Sequence, residues 1–332
     1  MTTFRKFILA ALILAFGVVT LGAYVRLSDA GLGCPDWPGC YGKLTPHDAA
    51  SAINAELAVR PDGPVSHAKA WKEMVHRYFA GTLGLLVLGI AVLAWRGRRD
   101  MRGGLGLPLL LLGLIVFQAM LGMWTVTQLL KPLIVSSHLL GGMSTLSLLL
   151  WLWLRERSQY GHTYYANSDH LRASALLGLA LVAVQVALGG WVSTNYAALA
   201  CPDFPLCHGA WMPPMDFEQG FTLHRNLGET ATGELLPLTA LTAIHWTHRV
   251  MALVVTLYLS WLVLRLVRSP GYAGIGLAIG GLLVLQISLG ISNVLFSLPL
   301  PVAVAHNAGA ALLLSSLIVL NYRVRRRCIW SP

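Results

Sequence analysis

Eight apolar runs constrain this chain more than any other feature: about 6–27, 71–95, 104–126, 132–154, 171–193, 243–266, 272–294 and 301–322. A bilayer core about 30 Å thick takes roughly 20 apolar residues of helix, so eight such spans consume most of the 332 residues. A transmembrane β-barrel requires roughly ten-residue segments of alternating polarity, and a run such as LPLLLLGLIVF (107–117) does not alternate. Only 11% of the residues are charged, against roughly one-quarter in a soluble domain. Arg5 and Lys6 precede the first run in the manner of a signal peptide. That run exceeds the usual h-region of about 7–15 residues, and no A-x-A-like site follows it, so it is read as a retained span.

The formal net charge of +10 is explained by topology. Fifteen of the 24 Lys and Arg fall in short segments that share one side of the membrane: Arg5, Lys6, Arg96, Arg98, Arg99, Arg102, Arg155, Arg157, Arg172, Arg265, Arg268, Arg323, Arg325, Arg326 and Arg327. The positive-inside rule places those segments and both termini in the cytoplasm. No nucleic-acid partner is needed to account for them. The long segments 28–70 and 194–242 then lie outside and carry Cys34, Cys40, Cys201 and Cys207. An oxidising compartment permits the pairs Cys34–Cys40 and Cys201–Cys207, while Cys328 falls in the cytoplasmic tail as a free thiol.

The two halves of the chain repeat one another. LGAYV at 21 matches LGGWV at 188, CPDWPGC at 34 matches CPDFPLC at 201, and the His76-Arg77 pair matches His248-Arg249. Gln118 matches Gln286, and His138 matches His306. The offsets from Cys34, His76, Gln118 and His138 are 167, 172, 168 and 168 residues. Each half has four spans, an even number, so both start on the same side and the repeat is parallel, about an axis along the membrane normal. The fold expected is an all-α integral membrane protein of eight transmembrane helices in two pseudo-symmetric four-helix bundles. The halves are residues 1–158 and 159–332.

Four histidines form a set. His76, His138, His248 and His306 each lie five or six residues inside the outer end of an even-numbered run, about 8–9 Å deep at 1.5 Å per residue. Polar groups within a membrane face the bundle interior, and the bland role is an interhelical hydrogen bond. Imidazole also ligates haem iron between facing helices. Pairing the second and fourth spans of each half gives His76 with His138 and His248 with His306, two bis-histidine haem sites. Zinc or copper sites usually recruit cysteine or carboxylate as well. Ala80, Gly81, Gly141, Gly142 and Gly309 follow the histidines and give a flat macrocycle access to the backbone, a role shared with ordinary helix packing. Arg77 and Arg249 are candidates for haem propionates, or snorkel to the interface. Gln118 and Gln286 donate interhelical hydrogen bonds or line the pockets. Solvated surface roles are the default for His47, His67, His162, His170, His208 and His224.

Glu73 breaks the symmetry. It precedes His76 by three residues on the same helical face, and its counterpart in the repeat is His245. A carboxylate near a helix N-terminus can act as a cap; beside a haem edge it handles protons or stabilises developing positive charge.

Glu73-x-x-His76-Arg77, His138, His248-Arg249, His306 and the two Cys-x5-Cys loops together resemble the heme A synthase family, over nearly the whole chain. The resemblance implies oxidation of the heme O methyl group to a formyl group, giving heme A for terminal oxidases, through a hydroxymethyl intermediate and with oxygen required. It implies a substrate haem on His76 and His138 in the first half with Glu73, the catalytic residue, beside the methyl. It implies a resident heme b on His248 and His306 in the second. Two histidines on the substrate iron leave no position for oxygen, so either one ligand leaves or oxidation takes another route. The expected partners are heme O, a heme O synthase that delivers it, an unidentified electron donor and membrane lipid; a homo-oligomer is left open. The setting implied is the bacterial inner membrane. The rival readings are a diheme electron-transfer protein and a haem carrier. A disulfide suits Cys201–Cys207, whereas Cys34–Cys40 is either structural or a thiol relay. The chain contains no C-x-x-C-H motif for covalent haem.

Overall fold

The computed structural model describes residues 2–99, 104–158 and 169–325. Arg102, His162, Arg326, Arg327 and Cys328 lie outside the described residues. Among the described residues, eight long helices match the eight apolar runs: α1 (Thr3–Leu27), α3 (His67–Arg96), α4 (Gly106–Thr127), α5 (Pro132–Ser158), α6 (Asp169–Thr194), α8 (Leu238–Val267), α9 (Ala273–Leu295) and α10 (Leu300–Val324). Two short helices, α2 (Ala50–Val59) and α7 (Phe217–Phe221), sit in the long connections. All eight long helices are long and apolar enough to cross a membrane, which makes this a multi-pass membrane protein. Helices close every interior backbone hydrogen bond within themselves, as lipid requires. Their outward faces carry side chains such as Leu85, Leu277 and Val284, which are 65–70% exposed.

Helix contacts fall into two rings of four. In the first half α1 packs on α3, α3 on α4, α4 on α5, and α5 back on α1. In the second, α6, α8, α9 and α10 do the same in the same order. The rings meet through α5 against α10, α1 against α10, and α5 against α6. Fully buried Ala11, Ala15, Ala175 and Ala311 contribute small surfaces to this core, which is how membrane helices approach closely. Two matching turns, with positive φ at Leu129–Leu130 and at Ser297–Leu298, join α4 to α5 and α9 to α10.

Packing differs along the membrane normal. Toward the arginine-rich ends the helices are solid, with Ile8, Ile90, Leu149, Leu259, Leu266, Leu317 and Leu320 almost wholly buried. Toward the cysteine loops the bundle opens into one cavity of about 2220 Å³. The helices that carry His76 and His248 start earlier than their apolar runs, at His67 and Leu238. His76 therefore follows its helix start by nine residues and His248 by ten, against six for His138 and His306. The extra turns continue because the long loops cover them: Met74 and Ala70 pack with Cys34, Cys40 and Ile53 in a small separate core. Two loop histidines are corrected by the same extension of helices beyond their apolar runs. His67 is the first residue of α3, where the Ser66 side chain caps Lys69 N at 3.2 Å, and His170 lies in the first turn of α6.

Candidate functional site: a shared cavity with four histidines

Each of the four histidines faces a glycine on a neighbouring helix. A Cβ added at Gly22 of α1 would stand 3.0 Å from His76 Cε1, and one at Gly122 of α4 would stand 3.4 Å from His138 Cε1. In the second half the matching distances are 3.2 Å from Gly189 of α6 to His248 and 3.1 Å from Gly290 of α9 to His306. The odd-numbered spans thus supply bare backbone where the imidazoles need room. Sequence reasoning missed these four glycines, although Gly22 and Gly189 lie inside the matched LGAYV and LGGWV, and Gly122 and Gly290 follow the matched Gln118 and Gln286 by four residues. It named Ala80, Gly81, Gly141, Gly142 and Gly309 instead, and Gly141 and Gly309 prove to serve another purpose. Those two positions admit the side chains of Gln118 and Gln286, which a Cβ would strike.

All four histidines line the one cavity, together with Glu73, Gln118, His245 and Gln286. The Nδ1 atoms of His76, His138 and His306 are buried and have no hydrogen-bond partner. Buried polar atoms are almost always satisfied, so three orphaned imidazole nitrogens in a cavity mark a place for something to bind. A ligand pocket for a drug-sized molecule is roughly 300–1,000 Å³, and this one exceeds twice that. The donor set is imidazole alone, and among the described residues no cluster of three or more His, Cys, Asp or Glu is poised to hold a bare ion. Paired imidazoles, facing glycines, an apolar wall and this volume fit flat iron macrocycles.

The two cysteine loops are near copies. Both disulfides are formed, Cys34–Cys40 and Cys201–Cys207. Asp36 accepts from Tyr41 N and Gly42 N, both at 2.6 Å, and Asp203 accepts from His208 N at 2.7 Å and Gly209 N at 2.8 Å. Both loops turn through positive φ, at Tyr41–Gly42 and His208–Gly209; glycine takes the second of these positions without a steric penalty. Arg77 Nη1 donates to the carbonyls of Asp36 at 2.7 Å and Gly39 at 2.5 Å. Arg249 donates to Asp203 O at 2.8 Å, Leu206 O at 2.9 Å and Cys201 O at 2.7 Å. The two arginines, expected at propionates or at the interface, hold the loops over the cavity.

Glu73 and His245 share that task. Glu73 is 4% exposed; its Oε2 accepts from Cys34 N at 2.9 Å, and its Oε1 pairs with Arg77 at 2.5 Å. His245 is 5% exposed; its Nδ1 lies 3.2 Å from Cys201 N and its Nε2 3.2 Å from Arg249 Nε, and a neutral imidazole accepts only one of these two bonds at a time. A carboxylate and an imidazole face the same two kinds of partner, a loop N–H and an arginine, in equivalent places. They differ in charge and in how many of those bonds each accepts at once.

The deeper asymmetry lies elsewhere on the wall. Gln185 Nε2 lies 3.1 Å from His248 Nδ1 and donates to its carbonyl at 3.1 Å, while the first-half counterpart is Val18. Asn293 and Asn307 line the cavity where the first half has Thr125 and Leu139. Gln286 Nε2 donates to His306 O at 3.0 Å, so the expected interhelical bond and the pocket-lining position coincide in one residue. The second half is the more polar chamber and the first the more apolar.

Comparison with known proteins gives one consistent result. The profile of the cytochrome oxidase assembly protein family, COX15-CtaA, matches residues 5–318. A protein of Shewanella oneidensis named Heme A synthase is 45% identical over 305 residues, covering 92% of each chain. Proteins of the same name from Methylobacterium radiotolerans and Caulobacter vibrioides are 30% and 29% identical. They cover 93% and 96% of this chain, and 86% and 95% of their own lengths.

Proposed function

The chain belongs to the COX15-CtaA family of cytochrome oxidase assembly proteins, and on that premise we propose that it is a heme A synthase. It oxidises the methyl group of heme O to a formyl group, through a hydroxymethyl intermediate and with oxygen required. The observation that carries this reading is the single cavity in which four imidazoles face four glycines, with three Nδ1 atoms unpartnered.

The halves divide the work. Residues 159–332 hold a resident heme b through His248 and His306; Gln185, Asn293 and Asn307 suit a permanent occupant, because buried amides fix imidazole and macrocycle orientation. Residues 1–158 receive heme O through His76 and His138. The apolar wall there, with Val18 and Leu139 in place of amides, binds without holding the guest as rigidly and so permits exchange. When bound, the haems supply the redox chemistry and the path for electrons. The protein's own contribution at the reacting edge is Glu73. It stands one helical turn from His76 toward the outer surface, on the cavity wall, fixed by Cys34 N and Arg77. A carboxylate fixed beside Arg77 under the loop stabilises positive charge as it develops on the substrate, without reorganising. The disulfides keep each lid folded, and Arg77 and Arg249 hold it shut at the outer rim, beside the edge where haem propionates would emerge. The setting is the bacterial inner membrane, with both termini cytoplasmic and the loops outside. A heme O synthase supplies the substrate, and a donor outside this chain supplies electrons.

Extraction and mass analysis of haem from membranes containing heme O tests the reading. Wild type is expected to accumulate heme A or its hydroxymethyl precursor. Glu73→Gln keeps an acceptor for Cys34 N but loses the charge, and is expected to lower that product at least tenfold while the second-half haem stays bound. Heme O recovered unchanged from wild type supplied with oxygen and reductant would sink the enzyme reading in favour of a carrier or an electron-transfer protein.

A further inference from the structure

Three arginines and no lysine line the cavity among the described residues: Arg26, Arg77 and Arg249. Arg77 and Arg249 have their guanidinium groups committed to loop carbonyls and to Glu73 or His245. Arg26 is different. Its Nη2 donates to Ser193 O at 2.7 Å, and its guanidinium carbon lies over the Tyr196 ring, 4.0 Å from the centroid. Its Nη1 is 3.7 Å from Asp29 Oδ1, a carboxylate 61% exposed that already accepts from Tyr196 OH at 2.9 Å. Its Nε is buried and has no partner.

An unpaired N–H on a permanently charged group is costly to bury, and the residue that carries this one lines the cavity. Position narrows the partner. Arg26 follows Gly22 by four residues, so it lies on the same face of α1 one turn toward the outer end, about 6 Å along the axis. Gly22 is the glycine that faces His76. A macrocycle held at its centre by His76 would present its rim to Arg26. The second half has Ser193 at the equivalent position, so this cation is supplied once per chain, to the first site.

We propose that Arg26 anchors a carboxylate of the haem bound in the first half, through its Nε–H. The inference rests on the reading of that half as a haem site. It makes Arg26 a substrate-orienting residue, because fixing one carboxylate at the rim decides which edge of the macrocycle turns toward Glu73. The Ser193 carbonyl and the Tyr196 ring hold the guanidinium ready, so the anion meets an ordered donor.

The test titrates the full-length chain in detergent with iron protoporphyrin IX and with its dimethyl ester, reading only the binding that His76→Ala removes. Wild type is expected to bind the free acid about tenfold more tightly than the ester. Arg26→Gln is expected to remove that preference while leaving the ester affinity unchanged, and Arg26→Lys to retain most of it. Equal affinity of wild type for acid and ester, or equal loss of both in Arg26→Gln, overturns the proposal and leaves Arg26 as a tie between the halves. If His76→Ala removes no bound haem, the haem-site reading itself fails, a result distinct from any pattern of acid and ester preference.

Discussion

Glycine 22 and glycine 189 are the smallest residues beside the histidines and the most telling at the scale of single side chains. A methyl group at Gly22 would stand 3.0 Å from His76, and one at Gly189 would stand 3.2 Å from His248. Each ring would have to give way by a few tenths of an ångström, and overpacking of this kind costs about 1–3 kcal/mol. Gly22→Ala is expected to lower occupancy of the first haem site roughly tenfold and to spare the second; Gly189→Ala is expected to do the reverse. The haem-to-protein ratio with the absorption spectrum of each variant measures this, and identical spectra for the two would contradict the pairing of each histidine with its glycine. The histidines themselves were legible in the sequence because they recur at matched offsets near one end of apolar runs. Their glycines were not, since glycine is common in membrane helices and only the crossing of α1 with α3 or α6 with α8 shows which one is opposed.

At the scale of the elements, the two cysteine loops are short folded lids and not passive connections. In the second, Asp203 accepts from the backbone of Gly209 and His208, and these donors, Gly209 first, hold its carboxyl below the ordinary value of 3.8. A depressed folded value means that the bonds stabilise the lid above pH 3.8 and that this contribution is lost as pH falls below it. Asp203→Asn is expected to flatten the acid limb of lid stability, measured as amide exchange over residues 201–210 between pH 5 and about pH 3. An acid limb unchanged by the substitution would assign it to other groups. The cysteine spacing announced these lids. The loop contacts of the arginines beneath them had no sequence signature, because Arg77 and Arg249 find their carbonyls only after the chain folds back by about forty residues.

The whole molecule depends on how the halves meet. Gly190 of α6 lies against Leu139 of α5, where an added Cβ would come within 2.7 Å of Cδ2. Ser136 and Thr194 share a buried hydrogen bond of 3.1 Å across the same seam. At the outer rim residues equivalent in the repeat touch each other: Arg26 bonds the carbonyl of Ser193, and Tyr196 bonds Asp29. Both cavity chambers border this seam, so a wedge in it should be felt at both. Gly190→Val is expected to lower the thermal midpoint of haem retention in both halves, and Leu139→Ala in the same chain to restore part of it. Strictly additive effects of the two substitutions would show that the seam is not their common site.

The sequence by itself determined the spans, the sidedness expected of them, the parallel repeat, the four histidines and the Glu73 and His245 exchange. Each is written in one-dimensional terms: hydropathy over twenty residues, charge between runs, and identity at a fixed offset. Tertiary structure decided what depends on separate segments meeting in space. It opposed glycines to the histidines, gave Arg77 and Arg249 to the loops, and placed Gln185 beside His248. It left Arg26 with an unpaired N–H at the cavity wall. The physical reason is that a polar group buried within a membrane protein must find its partner inside the protein, and in a bundle that partner lies on another helix whose register no local pattern records.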